Sequence, residues 1–439
     1  MRRSRKILLA VVAVLLVVLV GGYWYERPLL LTGTGYAAHN ACALASIADR
    51  GHPEDDLPPN PLVPVLRTST SKGSSTAGVL GVLARKRAWA TPGFGCTLAA
   101  GRPDLPTATP VSAAGNPYAT ASAPAPDAAT TAALDRAFGT DLPAKERTEL
   151  GTRGIVVLKD GKLVAERYAA GFTAATPQLG WSMTKSVTNL LTGRLVLQQK
   201  VSLDDDHLRP GWTDERSAIT VRQLLQMTSG LSWDETYALN TPITRMLYLE
   251  NDMARYVASQ KLAHAPGTYL QYSSGSTTLL CSVLTRGRGG ADLPRREIFA
   301  PLGLASAVLE PDAAGTPVCS SYLWATPRDW ASIGQFALDD GVWQGKRLLP
   351  KGWMAQSTRA VDVRSEEDGY ASGWWSNTKA DGTLVEATLP ADTYFAEGHD
   401  GQWLVVVPSQ KLVVARLGFT PTREDDRVVP FVAGLVAPS

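Results

Sequence analysis

The chain has 439 residues, with 43 Lys and Arg against 41 Asp and Glu, for a net charge of +2. That length can enclose a large core, and the near-neutral balance lacks the basic excess that nucleic-acid binding requires. The expected partner is therefore a small molecule, not nucleic acid.

Met1-Arg2-Arg3-Ser4-Arg5-Lys6 precedes the apolar run Ile7 to Val20, which is followed by Gly21-Gly22-Tyr23-Trp24-Tyr25. This is an export signal. The three aromatics suit the far membrane interface, and no Ala-x-Ala-like cleavage site follows directly, so residues 1–26 read as an uncleaved signal-anchor. A cleaved signal peptide is the alternative. The basic residues favour a cytoplasmic N-terminus and place the rest outside the cytoplasm. Export makes Cys42, Cys96, Cys281 and Cys319 candidates for disulfides. Of the three possible pairings, Cys42 with Cys96 and Cys281 with Cys319 keep each bridge within one region; four buried free thiols are the bland alternative.

Residues 37 to about 100 are rich in Pro and Gly with few periodic segments, and 101–126 are dominated by Ala, Pro, Thr and Ser. Residues 27–127 thus read as an irregular region ending in a linker or surface wrap, before a domain of regular structure at 128–439. A helix is expected near Ala128 to Phe138. Two apolar runs flank Asp160-Gly161 between Gly154 and Tyr168, which predicts a β-hairpin with a two-residue turn.

Ser-x-x-Lys occurs at Ser69–Lys72, Ser182–Lys185 and Ser376–Lys379. The first lies in a Ser/Thr/Gly stretch that reads as a loop, and the third runs into a turn signal. Only the second opens a helical pattern, with Val187, Leu190, Leu191 and Leu195 spaced by three and four. Residues i and i+3 share a helix face, so the Lys185 amine can reach the Ser182 hydroxyl. A serine becomes a nucleophile when a neighbouring base takes its proton, and a lysine serves when its pKa is depressed. The bland reading is an N-cap serine beside a surface lysine.

Downstream, Asp204-Asp205-Asp206 reads as a solvated loop, because it has neither the Gly nor the Glu of a calcium loop. Thr220 and Gly230 bound an expected short helix at 221–229. Tyr272-x-Ser274 sits at a loop-to-helix junction, where the tyrosine could relay a proton or simply pack. Tyr394–Val407 and Leu412–Leu417 read as paired strands, with His399-Asp400-Gly401 at the start of the first. None of the five histidines is spaced for zinc, and no metal site is expected.

Ser182-x-x-Lys185, Tyr272-x-Ser274 and His399-Asp400-Gly401, in that order, resemble the motifs of the serine β-lactamase and penicillin-binding-protein superfamily. The segments Thr220–Trp233 and Trp324–Trp330 resemble its class C and esterase-like branch. The similarity is greatest to 6-aminohexanoate-dimer hydrolases, which also carry Ser in the second motif. The resemblance covers about residues 150–420 and implies an α/β (α+β) fold, a mixed antiparallel sheet flanked by helices with a largely helical second lobe. It implies a serine hydrolase of esters or amides with no cofactor. Ser182 would be the nucleophile, Lys185 the base and Tyr272 the relay, with Ser274 ordering that network. The N–H of Gln402 beside Gly401 would complete an oxyanion hole. His399 replaces the lysine, and Ser274 the asparagine, that penicillin-directed members place around the substrate. A D-alanyl-D-alanine carboxypeptidase, a β-lactamase and a non-catalytic binding module are the other readings.

Overall fold

The computed structural model describes residues 2–365, 367–423 and 425–436. Met1 and residues 437–439, the outer ends of the expected anchor and catalytic segments, lie outside the described residues.

Helix α1 (Arg2–Ser46) is continuous for 45 residues and carries Pro28. It is the one helix among the described residues long and apolar enough to cross a membrane. It does not stop near residue 26. Ala37, Ala38, Ala41, Ala43 and Leu44 carry it on, buried against the body, because small side chains with high helix propensity permit close approach.

The stretch expected to be irregular holds a four-stranded antiparallel sheet, β1 (Leu66–Ser71), β2 (Ser74–Val79), β3 (Leu83–Thr91) and β4 (Gly95–Leu98), paired in that order. Its outer positions are Ser, Thr, Arg and Lys, and its inward Ala77, Ala84 and Ala88 are small, so the usual apolar alternation is muted. Ser69 thus lies on a strand, not in a loop. Cys42 is bonded to Cys96, tying α1 to β4, and Cys281 is bonded to Cys319. Residues 101–126 contain no strand or α-helix, but Thr109 bonds Asp292 and Asn116 bonds Asp329, which holds this stretch on the body.

Helix α2 (Ala128–Ala137) starts where Asp127 accepts the Thr130 N–H, a cap worth about 1 kcal/mol. Strands β5 (Thr152–Lys159) and β6 (Lys162–Tyr168) form the expected hairpin, with Asp160 and Gly161 at φ 50° and 70°. Then come α3 (Thr184–Leu197), α4 (Val221–Leu225), α5 (Pro242–Leu249), α6 (Ser274–Thr285) and α7 (Pro327–Leu338). The expected 221–229 helix ends at Leu225 because the chain turns at Met227, where φ is 59°.

The sheet is completed by β7 (Trp375–Ser376), β8 (Tyr394–Gly398), β9 (Gln402–Val407) and β10 (Leu412–Gly418), before α8 (Val428–Val436). Its order is β7-β8-β9-β10-β5-β6, antiparallel throughout. Alternation divides the faces. Ile155, Val157, Val405, Leu412 and Val414 meet α2 and α8, while Val156, Leu158, Leu404, Val413 and Ala415 join the larger core with α3 and α7. Each such side chain contributes about 1.5–3 kcal/mol when fully buried. The run 394–407 is therefore two strands, not one, and His399-Asp400-Gly401 is the turn between them. Asp400 and Gly401 have φ of 61° and 79°, the Asp-Gly hairpin chemistry already used at 160–161.

Candidate active site

Ser182 stands on a tight turn, Trp181–Met183, that feeds directly into α3. Two features make the turn. Trp181 has φ 47°, a left-handed conformation that an aromatic residue rarely adopts. Gly180 is needed beside it, since a Cβ there would meet the Trp330 ring at 2.1 Å. Thr184 Oγ1 donates to the Trp181 carbonyl and closes the turn.

One helical turn on, Lys185 is only 2% exposed. Its Nζ lies 2.8 Å from Ser182 Oγ, 2.9 Å from Ser274 Oγ and 3.1 Å from the Ser320 carbonyl. Burial penalises the charged amine and pushes its pKa down to about 8, while Glu235 pulls the other way. The bland reading of Ser182 and Lys185 as cap and surface residue does not describe this geometry.

Glu235 is the participant that the sequence did not disclose. Its carboxylate accepts hydrogen bonds from the Ser274 hydroxyl, the Ser274 N–H at 2.9 Å and Trp233 Nε1 at 2.5 Å. Ser274 thus bridges Glu235 and Lys185. The only trace of Glu235 in the sequence is its position two residues past Trp233, and a carboxylate in a loop carries no spacing signal.

Tyr272 comes from the helical lobe and closes the other side. Its ring stacks on Trp375, with centroids 5.6 Å apart, meets Tyr370 edge-on at 5.4 Å, and has Lys185 Nζ 4.8 Å from its centre. Burial, with Tyr370 and Glu235 adding, lifts its pKa well above the ordinary tyrosine value, although a hydrogen bond with Ser182 opposes the shift. Tyr272 is therefore a neutral phenol at physiological pH. It is both packed and in reach of Ser182.

The β8–β9 hairpin forms the third wall. The His399 ring lies tilted against Tyr237 at 4.3 Å and against Trp181 at 5.6 Å, and its Nδ1 lies 2.7 Å from Asp400 Oδ1. Gln402 lines a small pocket together with Trp181 and Tyr36. The Gly401 carbonyl accepts from Arg416, while Gln402 pairs with Gly398 in the strand ladder. The Gln402 side chain is spent on the Asp400 and Gly418 carbonyls and the Gly418 N–H. His399 lies in the turn outside the ladder, with its ring 5.6 Å from that of Trp181, the residue before Ser182.

Beside His399 opens a cavity of about 600 Å³. Leu29, Thr32 and Tyr36 of α1 form one wall, and Tyr237, Leu239 and Tyr248 face them. Tyr36 stacks on Tyr248 at 5.0 Å and meets Trp181 at 6.1 Å, so α1 is part of the site's enclosure. No group of three or more His, Cys, Asp or Glu that could hold a metal occurs among the described residues.

A serine paired with a buried lysine at the head of a helix, between an antiparallel sheet and a helical lobe, defines an active-site-serine fold of the penicillin-recognising type. The sequence profile of the beta-lactamase family matches residues 142–436, about two thirds of the chain, and the chain belongs to that family. Protein flp of Staphylococcus aureus N315 is 26% identical over 227 residues, covering 45% of this chain and 45% of that protein. The chain thus spans about half the length of that relative. The 6-aminohexanoate-dimer hydrolase of Paenarthrobacter ureafaciens is 23% identical over 320 residues, 65% of this chain and 77% of the relative. A solved structure from Bacillus anthracis, provisionally named a 6-aminohexanoate-dimer hydrolase, superposes with TM-score 0.59 at 22% identity. It covers 73% of this chain and 88% of its own. That likeness shows the fold.

Proposed function

We propose that the protein hydrolyses uncharged esters or short amides through an acyl-enzyme on Ser182, with α1 holding the catalytic body outside the cytoplasm. The observation that carries this reading is the buried Lys185 amine 2.8 Å from Ser182 Oγ. Neutral Lys185 takes the Ser182 proton as Oγ attacks the carbonyl carbon. Tyr272, a neutral phenol, passes a proton to the departing oxygen or nitrogen and later helps to activate the water that releases the acyl group. Ser274 holds the lysine in register and Glu235 holds Ser274. The N–H groups of Ser182 and Gln402 would serve the oxyanion, and one such donor is typically worth about 10²–10³ in rate. None of these steps calls for a metal or an organic cofactor.

The cavity beside His399, which Ser182, Lys185 and Tyr272 do not line, contains no Asp, Glu, Lys or Arg, which favours an uncharged substrate group there. The named activity of the Paenarthrobacter relative is consistent with amide turnover. The motif resemblance weighs against a carboxypeptidase or a β-lactamase, because His399 and Ser274 replace the lysine and asparagine that such members use around a substrate carboxylate and amide. A fluorophosphonate probe tests the reading: it should label the wild type and not Ser182→Ala. A panel of nitrophenyl esters, linear amides, D-Ala peptides and a chromogenic cephalosporin then ranks the substrates. A wild-type protein that stays unlabelled and inert on the whole panel would be the binding module instead.

A further inference from the structure

We infer that the tip of the β2–β3 hairpin, Leu80 to Leu83, seats the body on the outer face of the bilayer that holds α1, with anionic lipid headgroups as its partner. This rests on reading α1 as an uncleaved anchor.

The interface can be located on α1. Between Lys6 and Glu26 no residue is charged, and the side chains of the apolar run are exposed along its whole length. At about 1.5 Å per residue this stretch spans about 28 Å, one hydrocarbon core. Tyr23, Trp24 and Tyr25 then fall at the outer interface, with Arg27 just beyond.

The hairpin can be placed against that level. Ala90 of β3 pairs with Cys96, which is bonded to Cys42 far along α1. Six residues earlier, the Ala84 N–H donates to Tyr23 Oη at 3.2 Å, and Thr34 Oγ1 donates to the Ala84 carbonyl at 2.6 Å. Six strand residues cover about 20 Å, and the helix between the Tyr23–Thr34 stretch and Cys42 rises by about as much, so β3 lies along α1 with its start toward the membrane. The tip precedes Ala84 and therefore overhangs the Tyr23–Arg27 level.

Its chemistry fits that place. Leu80, Val82 and Leu83 are 60%, 72% and 42% exposed. Beyond α1 the only other exposed large aliphatics among the described residues are Leu197 and Val385, so this turn is a concentration of them. Leu80 has φ 50°, a conformation that a turn facing water would give to Asn, Asp or Gly. Basic groups surround the apolar tip. Arg67 Cβ lies 3.7 Å from where Gly81 would carry a Cβ, Arg85 flanks Gly78, and the Arg27 guanidinium is 5.2 Å from the Trp24 ring centre. Apolar residues that dip below a ring of arginines are suited to an anionic lipid surface. A second attachment beside α1 fixes the tilt of the body. Tyr36, at the cavity wall, then stands about 16 Å beyond Tyr25 along the helix.

The test uses the full chain in vesicles of mixed phosphatidylcholine and phosphatidylglycerol. An environment-sensitive fluorophore is placed on Val82→Cys or, separately, on Leu15→Cys. Both probes should lose most of their emission to brominated lipid, Val82 to shallow bromines and Leu15 to deep ones. Replacing phosphatidylglycerol by phosphatidylcholine should restore Val82 emission and leave Leu15 unchanged. A quenched Leu15 probe with Val82 in water overturns the hairpin contact and leaves the anchor standing. Two unquenched probes overturn the anchor and the proposal with it. Equal Val82 quenching in neutral vesicles overturns the anionic partner.

Discussion

Gly398 lies directly against Gly180: a Cβ at 398 would stand 2.2 Å from the Gly180 carbonyl oxygen. Strand β8 reaches the turn that carries Ser182 only because no side chain intervenes. Gly398→Ala is expected to displace the hairpin, His399 with it, and to lower kcat/KM for a neutral ester by at least about 10²-fold, the scale of a lost oxyanion donor. Ester hydrolysis measured beside thermal melting checks this. An unchanged rate in a folded variant would separate the hairpin from the reaction.

Lys185 sets the pH dependence. It must be neutral to act as a base, so activity is lost as pH falls through its pKa, and kcat/KM should rise with pH and level off above about 8. Glu235 holds that pKa up. Glu235→Gln should therefore move the midpoint of the pH–rate profile to lower pH, even as kcat falls through the altered hold on Ser274. A midpoint that moves upward would contradict this electrostatic arrangement.

Tyr272→Phe keeps the stack on Trp375 and removes only the hydroxyl. The expected outcome is a fall in kcat of about 10²–10⁴ with little change in melting temperature. Loss of stability at unchanged kcat would reduce Tyr272 to a packing residue.

His399 lies against Tyr237 in the wall of a cavity lined by no Asp, Glu, Lys or Arg. His399→Lys should raise kcat/KM for anionic substrates relative to neutral ones, because it adds a permanent cation at the wall. Competition between a neutral ester and its carboxylate-bearing analogue measures the ratio. If the ratio holds, His399 does not meet the substrate.

Some elements could be read directly because their physics is local. The Ser182–Lys185 contact follows from helix periodicity, the 160–161 turn from Asp-Gly, and the helix start at Thr220 from its capping side chain. The same local logic, applied once more to Asp400-Gly401, identifies the turn that splits 394–407; the continuous apolar character on either side concealed it. The β1–β4 sheet escaped for the opposite reason. In β1 only Leu66 is buried, so there is no alternation to read.

What the sequence determined by itself was the order of the motifs and the helical turn that joins Ser182 to Lys185, since both depend on neighbours within a turn or two. Tertiary structure decided the rest of the site. Glu235 reaches Ser274 across 39 residues, Tyr36 reaches Trp181 from α1, and Gln402 pairs with Gly398 across the hairpin turn. These relations depend on which surfaces close against each other in three dimensions, and neither periodicity nor spacing along a chain encodes contacts between segments that are far apart in it.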